Sequence, residues 1–352
     1  MNESNLALDG WIQTADNDTS DYTYSGTQYS LMDVVCYKYL GPTLCALGII
    51  GNTISLFVLT RDQIKEGSYL YLKALAVTDM FALAVSFPFM VFCMGSVSYY
   101  WKWYECYVFL PFANMFTAAS VWITTVMTIE RFIVVKFPLW SRWRCTRFGA
   151  QVRILIVLVI ALTISIPRYL AFTITPFGSG YRLARTPFQE SKAYYVLDMF
   201  CIATLHFLPL FILGIVNTVL IYEVQNARII REELNIRNNQ ESEFQKDQRR
   251  FTITLISIVV LFLCFILPAT VSDILLYSKF GLQPNGFQIM RTIRNIANVL
   301  LWCSLSFNFL LYCAFNKRFV RVLRNSVGRG IFRFRNYSFR ARSVKTSNST
   351  TL

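Results

Sequence analysis

Along most of this chain the apolar positions do not alternate with polar ones; they fill whole stretches. Seven such stretches lie near 37–60, 69–95, 105–135, 150–174, 195–222, 252–277 and 292–314. A helix crosses a bilayer with about 20 predominantly apolar residues, and each stretch meets that length. Soluble helices keep one polar face, whereas Ile154–Ile166 and Ile253–Pro268 are apolar all round. The pattern predicts an all-α membrane protein, a seven-transmembrane helix bundle.

Elsewhere the pattern changes. After Tyr312, the residues Phe315, Phe319, Val322 and Leu323 recur at helical spacing between basic residues. That predicts a short amphipathic helix lying on the inner membrane surface. Between Glu223 and Arg250 both charge signs recur at helical spacing, as in Arg228–Glu232, so the fifth and sixth stretches should continue as solvated helices. From about Thr173 to Lys192, a second outer loop holds Pro176, Gly178, Gly180 and Pro187, which break helix. Pro88, Pro111, Pro167, Pro209 and Pro268 mark kinks inside the spans. The organisation expected is an extracellular tail over 1–35, a membrane domain over 36–314, an amphipathic surface helix over 315–326 and a cytoplasmic tail over 327–352.

Composition supports the membrane reading and charge orients it. Only 15% of residues are charged and 55% are hydrophobic, against about 25% charged in soluble domains; mean hydropathy is +0.42. The net charge of +14 is unevenly placed. Residues 1–35 hold six acids and no Lys or Arg, while the tail after Asn316 is basic, and Lys136, Arg142, Arg144 and Arg147 follow the third stretch. Basic loops stay cytoplasmic, which puts the amino terminus outside and the carboxyl terminus inside. Beside an anionic leaflet these basic runs suit membrane lipids rather than nucleic acid. Asn2 and Asn17 carry the glycosylation acceptor pattern on the outer side. The first 35 residues lack the basic start and apolar core of a cleavable signal, so the first span is expected to act as its own insertion signal.

Within this background Asp79 stands out, a carboxylate in the middle of the second stretch. Ionisable groups at that depth cost roughly 2.5–3.5 kcal/mol on insertion scales and face a protein-lined cavity where they have a role. At the inner end of the third stretch Glu130 precedes Arg131 and Phe132, so the arginine is expected to be held at rest by its neighbouring acid. Gly51-Asn52, Leu75-Ala76-Val77-Thr78-Asp79, Glu130-Arg131-Phe132, Pro209, Pro268 and Asn308-Phe309-Leu310-Leu311-Tyr312 follow in order across the stretches. This set resembles the rhodopsin-like class of G protein-coupled receptors over nearly all of residues 36–325. Phe309 in place of the usual proline, Pro167-Arg168, Asn217-Thr218 and a sixth stretch without its usual Trp look most like invertebrate neuropeptide receptors of the FMRFamide and myosuppressin type.

The resemblance implies no enzyme but a plasma-membrane receptor for a short amidated peptide, coupled to a heterotrimeric G protein, with arrestin and receptor kinases acting on its tail. It implies that Glu130, Arg131, Leu139, Asn217, Asn308 and Tyr312 serve activation and coupling. It also implies that Asp79, Ser120, Ser304 and Asn308, with Asn52 nearby, surround an allosteric sodium ion; a hydrogen-bonded water cluster is the alternative. Ligand contacts implied in the same way are Phe89, Asn114, Thr117, Arg168, His206, Asp273, Arg294, Asn298 and Trp302, although His206 is better suited to bonding neighbouring helices than to a ligand. Ala113 stands where amine receptors carry an aspartate, which disfavours a monoamine.

Departures from the class bear on these implications. Cys106 lies where the class anchors its second outer loop, yet no cysteine occurs between Arg168 and Cys201. Cys36 and Cys93 remain candidate partners, and nine free thiols remain the other outcome, since sequence does not set connectivity. A receptor of the same fold for a small apolar or lipid-like signal, such as a pheromone, is the competing reading. A channel or transporter is a third, although neither repeat symmetry nor a charge-lined path is visible. With one histidine, no metal-spaced Cys/His cluster and no phosphate-cradling glycine loop, there is little to catalyse with.

Overall fold

The computed structural model describes residues 22–24, 27–61, 68–233, 284–315 and 319–326, with single residues between 252 and 271. Among the described residues five helices are long and apolar enough to cross a membrane: Leu31–Leu59, Tyr69–Cys93, Tyr99–Lys136, Arg147–Ala171 and Lys192–Glu223. We call them spans one to five. A sixth crossing, here called span seven, is the pair Ile289–Ser306 and Asn308–Ala314, bent by 48°. Most of the 252–277 stretch, where the sixth span is expected, lies outside the described residues, as do Asn2, Asn17, Asp273 and the tail beyond 326.

The helices are apolar outside and polar inside. Leu155, Ile156, Val159 and Phe211 point outward, while Asn52, Asp79, Ser120, Thr124, Thr125, Thr128, Glu130 and Arg131 are buried. Lipid solvates the first group, and only other helices can satisfy the second. Spans three and four meet through Ala118, Ala119 and Ala161, small residues that let two backbones approach. The inner half of the core gathers Val58, Leu59, Tyr71, Leu72, Leu75, Met127 and Tyr312. The outer half gathers Cys45, Leu83, Met90, Trp302 and Leu305.

One sequence expectation is corrected here and two are refined. The first helix begins at Leu31, inside the segment assigned to the outer tail. Asp33, counted there as a tail acid, is buried: its carboxylate accepts from Asn295 Nδ2 at 2.6 Å and pairs with Arg291 of span seven. The outer loop, where those residues break helix, is an antiparallel hairpin, Phe172–Phe177 with Gly180–Arg185. Gly178, at φ +57°, supplies the left-handed turn residue, so the glycine read as a helix breaker is a hairpin former. Residues 319–326 are helical, and Phe319 and Val322 are buried in the inner core beside Tyr312.

Candidate functional site

Three connected regions hold the buried polar residues. In the middle, Asp79 is fully buried. It accepts hydrogen bonds from Ser120 Oγ on span three and Asn308 Nδ2 on span seven, both at 2.6 Å. Asn52 is buried but turned toward span seven: its Nδ2 donates to Gly48 O and Leu305 O, each at 2.9 Å. Its Oδ1 and the hydroxyl of Tyr312 are buried with no hydrogen-bond partner among the described residues. Ser304 is half-buried, and its hydroxyl makes none of the described bonds to Asp79. Two of the four companions expected around Asp79 therefore touch it.

At the inner end the arrangement differs from expectation. Glu130 does not serve as the clamp of its neighbour Arg131; it belongs to a closed ring of three hydrogen bonds. The Tyr71 hydroxyl of span two donates to Glu130 Oε2 at 2.6 Å. Arg153 of span four donates from Nη2 to the same oxygen at 2.5 Å and from Nε to the Tyr71 oxygen at 2.7 Å. Helical spacing explains the choice: residues one apart on a helix point about 100° away from each other, so Glu130 faces spans two and four. Arg131 is itself buried. A second tie, Lys136 to Glu223, joins the inner ends of spans three and five. Leu139 stands 77% exposed on the short loop helix Pro138–Arg144. Asn217 is buried with both amide atoms unbonded among the described residues.

The outer end collects most of the residues implied as ligand contacts. Asn298 donates to the hydroxyl of Tyr37 at 2.6 Å, and Tyr37 packs edge-on against Trp302. Phe89 stacks on Phe109 with ring centroids 3.8 Å apart. Asn114 is partly buried and donates back to Leu110 O; Thr117 and Arg294 are half-buried. Arg168 is engaged by Asp198 of span five at 3.6 Å. His206 sits in a π-helical turn, and its side chain lies outside the description. The structure thus groups Asn298 and Trp302 around Tyr37, with Phe89 on a separate aromatic pair.

Cys106 has no bridge. All nine cysteines are free thiols, Cys36 and Cys93 included, which corrects the candidate disulfide. The thiol of Cys106 donates to Phe172 O at 3.5 Å, so it still touches the first residue of the hairpin. Backbone bonds do the anchoring: Tyr181 N donates to Val97 O at 2.9 Å and Thr186 N to Ala171 O at 3.1 Å.

Asp33, Tyr37, Tyr71, Arg153, Arg291 and Asn295 were not singled out from the sequence. Arg153 was detectable, because it is a lone charge entering an apolar stretch, the same signal that marked Asp79. Tyr37 and Tyr71 carried no such signal.

The description "7 transmembrane receptor (rhodopsin family)" matches residues 51–312. A probable G-protein coupled receptor of Caenorhabditis elegans is 26% identical over 299 residues, covering 80% of this chain and 66% of that protein. The FMRFamide receptor of Drosophila melanogaster is 25% identical over 295 residues, 78% of this chain and 51% of its own length. A substance-P receptor of Cavia porcellus is 24% identical over 297 residues, covering 81% of this chain and 69% of that receptor. The chain therefore spans less than two thirds of the length of the first two relatives. These relatives are receptors, not enzymes.

Proposed function

The chain belongs to the rhodopsin family of seven-transmembrane receptors, and on that footing we propose that it is a plasma-membrane receptor for a short amidated peptide. Its amino terminus faces outward, and it signals through a heterotrimeric G protein. The observation that supports the peptide class is the outer wall built by Tyr37, Asn298 and Trp302 across spans one and seven. Aromatic faces with a few directed amides suit aromatic and amide groups of a peptide end. Ala113 in span three leaves no carboxylate there for an amine. Relatives named for FMRFamide and substance P point the same way.

Activation is a shift between two bundle arrangements that the ligand binds unequally. In the resting one, Glu130 is held by Tyr71 and Arg153, and Lys136 ties span three to span five. Ligand at the outer end of span seven moves Asn298 and Trp302, and the bend before Asn308 transmits that movement to Asp79. The inner ends then part around Arg131, with Leu139 available to the G protein.

The middle region fits a sodium ion. A carboxylate with a hydroxyl oxygen beside it is a hard donor set of the kind small cations take, and Asn52 Oδ1 is a buried oxygen with no hydrogen-bond partner among the described residues. Asp79 and Ser120 would hold the ion, with Asn308, Ser304 and Asn52 as neighbours. Bound there, the ion adds positive charge that favours the ionised Asp79 and the resting arrangement.

The test is to express the chain in cells with a promiscuous G protein and challenge it with a panel of amidated peptides. A peptide response that Arg131→Ala abolishes is the expected outcome. Silence toward peptides with a response to lipid-like signals would replace the peptide reading, and ion flux without any G protein would replace the receptor reading.

A further inference from the structure

The short loop helix between spans three and four exposes a set of side chains that the coupling mechanism does not use. Its buried anchor is Ser141, whose hydroxyl donates to Pro138 O at 2.9 Å. Around that anchor Trp140, Trp143 and Phe148 are 52%, 86% and 75% exposed, and Arg142, Arg144 and Arg147 are exposed between them. Arg144 lies over the Trp140 ring at 5.5 Å. No described carboxylate pairs with any of these three arginines.

Arg147 is placed against electrostatic expectation. It opens span four, where the first turn carries no acid, although the positive end of a helix favours negative charge. It is also close enough to Lys73 of span two for the two cations to repel. Thr146 caps this helix end through Gly149 N at 3.1 Å, which satisfies one amide and adds no charge. A cluster of cations at a helix amino terminus, with no acid supplied by the described chain, is complementary to a polyanion from outside.

We propose that this face, formed by Lys73, Arg142, Arg144 and Arg147 with Trp140 and Trp143, binds a phosphorylated inositol lipid of the inner leaflet. The headgroup phosphates sit against the amino terminus of span four. The tryptophans seat in the headgroup–acyl boundary, where amphipathic rings collect. The bilayer, rather than a soluble phosphate, is the source, because water alone would not hold so large an aromatic surface open beside a membrane. Lipid at this place steadies the loop helix that presents Leu139.

The experiment uses the full chain in phosphatidylcholine nanodiscs without any G protein, so its failure leaves the receptor reading untouched. Fluorescent short-chain phosphatidylinositol 4,5-bisphosphate is titrated in. Lys73→Gln with Arg142→Gln, Arg144→Gln and Arg147→Gln should weaken binding by about ten-fold or more, from the usual contribution of each cation near a membrane. Replacing the three arginines by lysine should keep most of the affinity, and neutralising Arg333, Arg335, Arg340 and Arg342 of the tail should leave it nearly unchanged. The proposal is overturned if the loop variant binds like the parent, if the tail variant alone abolishes binding, or if soluble inositol trisphosphate competes as well as the lipid. An independent readout needs no charge change: brominated phosphatidylcholine should quench the parent more than Trp143→Phe, and equal quenching would place Trp143 in water and overturn the membrane contact.

Discussion

Single residues decide how this bundle rests. Glu130 is buried between a phenol and a guanidinium on two other spans, so removing either partner leaves the acid with only the other. Arg153→Gln should lower stability by roughly 2 kcal/mol, less than for a fully buried pair because the arginine is partly open. Tyr71→Phe should lower it by about 1 kcal/mol, one hydrogen bond. Both should raise ligand-independent G protein activation, read in cells beside the thermal midpoint of the purified receptor; unchanged basal signalling would remove the ring from the resting lock. At Asp79 the prediction concerns the ion. Asp79→Asn keeps the size and one of the two acceptor oxygens but removes the charge, so replacing sodium chloride by a bulky organic chloride should no longer change agonist affinity.

The elements carry devices that the residues alone do not reveal. Three of the prolines read as kinks, Pro88, Pro111 and Pro209, lie beside π-helical segments at Phe89–Cys93, Glu105–Phe109 and Ala203–Phe207, and Pro42, not read as a kink, lies beside a fourth at Val34–Leu40, whereas Pro167 stands within regular α-helix. At Pro42, Pro111 and Pro209 the carbonyl four residues back lies in the widened segment: proline cannot donate to it and its ring pushes it away, and an i→i+5 turn relieves the crowding; at Pro88 the widened segment follows the proline. Span seven bends without a proline, since Phe309 stands in that place. Its break at Phe307 is flanked by side chains instead: Asn52 takes Leu305 O, Ser306 donates to Leu44 O, and Asn308 is drawn to Asp79. The approach of spans one and seven depends on Gly48, where a Cβ would overlap Ser306 Oγ and the Leu83 side chain. Gly48→Ala should therefore cost about 1–3 kcal/mol through overpacking, measured by thermal unfolding, and Ser306→Gly added to it should recover part of the loss.

At the scale of the whole molecule, the outer face is held without covalent links. The hairpin hangs from Val97 O and Ala171 through backbone bonds, and Asp33 ties the start of span one to Arg291 and Asn295 of span seven. Reductant should leave agonist affinity unchanged, and non-reducing peptide mapping should recover Cys106 as a free thiol. A Cys106 peptide linked to Cys36 or Cys93 would reverse both expectations.

Much of this architecture is written along the chain. The seven apolar stretches and the exceptional Asp79 follow from local composition, because a bilayer imposes the same length and polarity rule on every span regardless of its neighbours. Arg153 was equally exposed to that rule. What local pattern could not contain is which buried polar group faces which. Glu130 pairing across to Arg153 and Tyr71, Asn52 turning to Leu305, and Asp33 leaving the tail for span seven depend on helix rotation and approach, set by residues such as Gly48 and Ala161. Those rotations are decided jointly by all the helices in contact, so they exist only in the packed bundle.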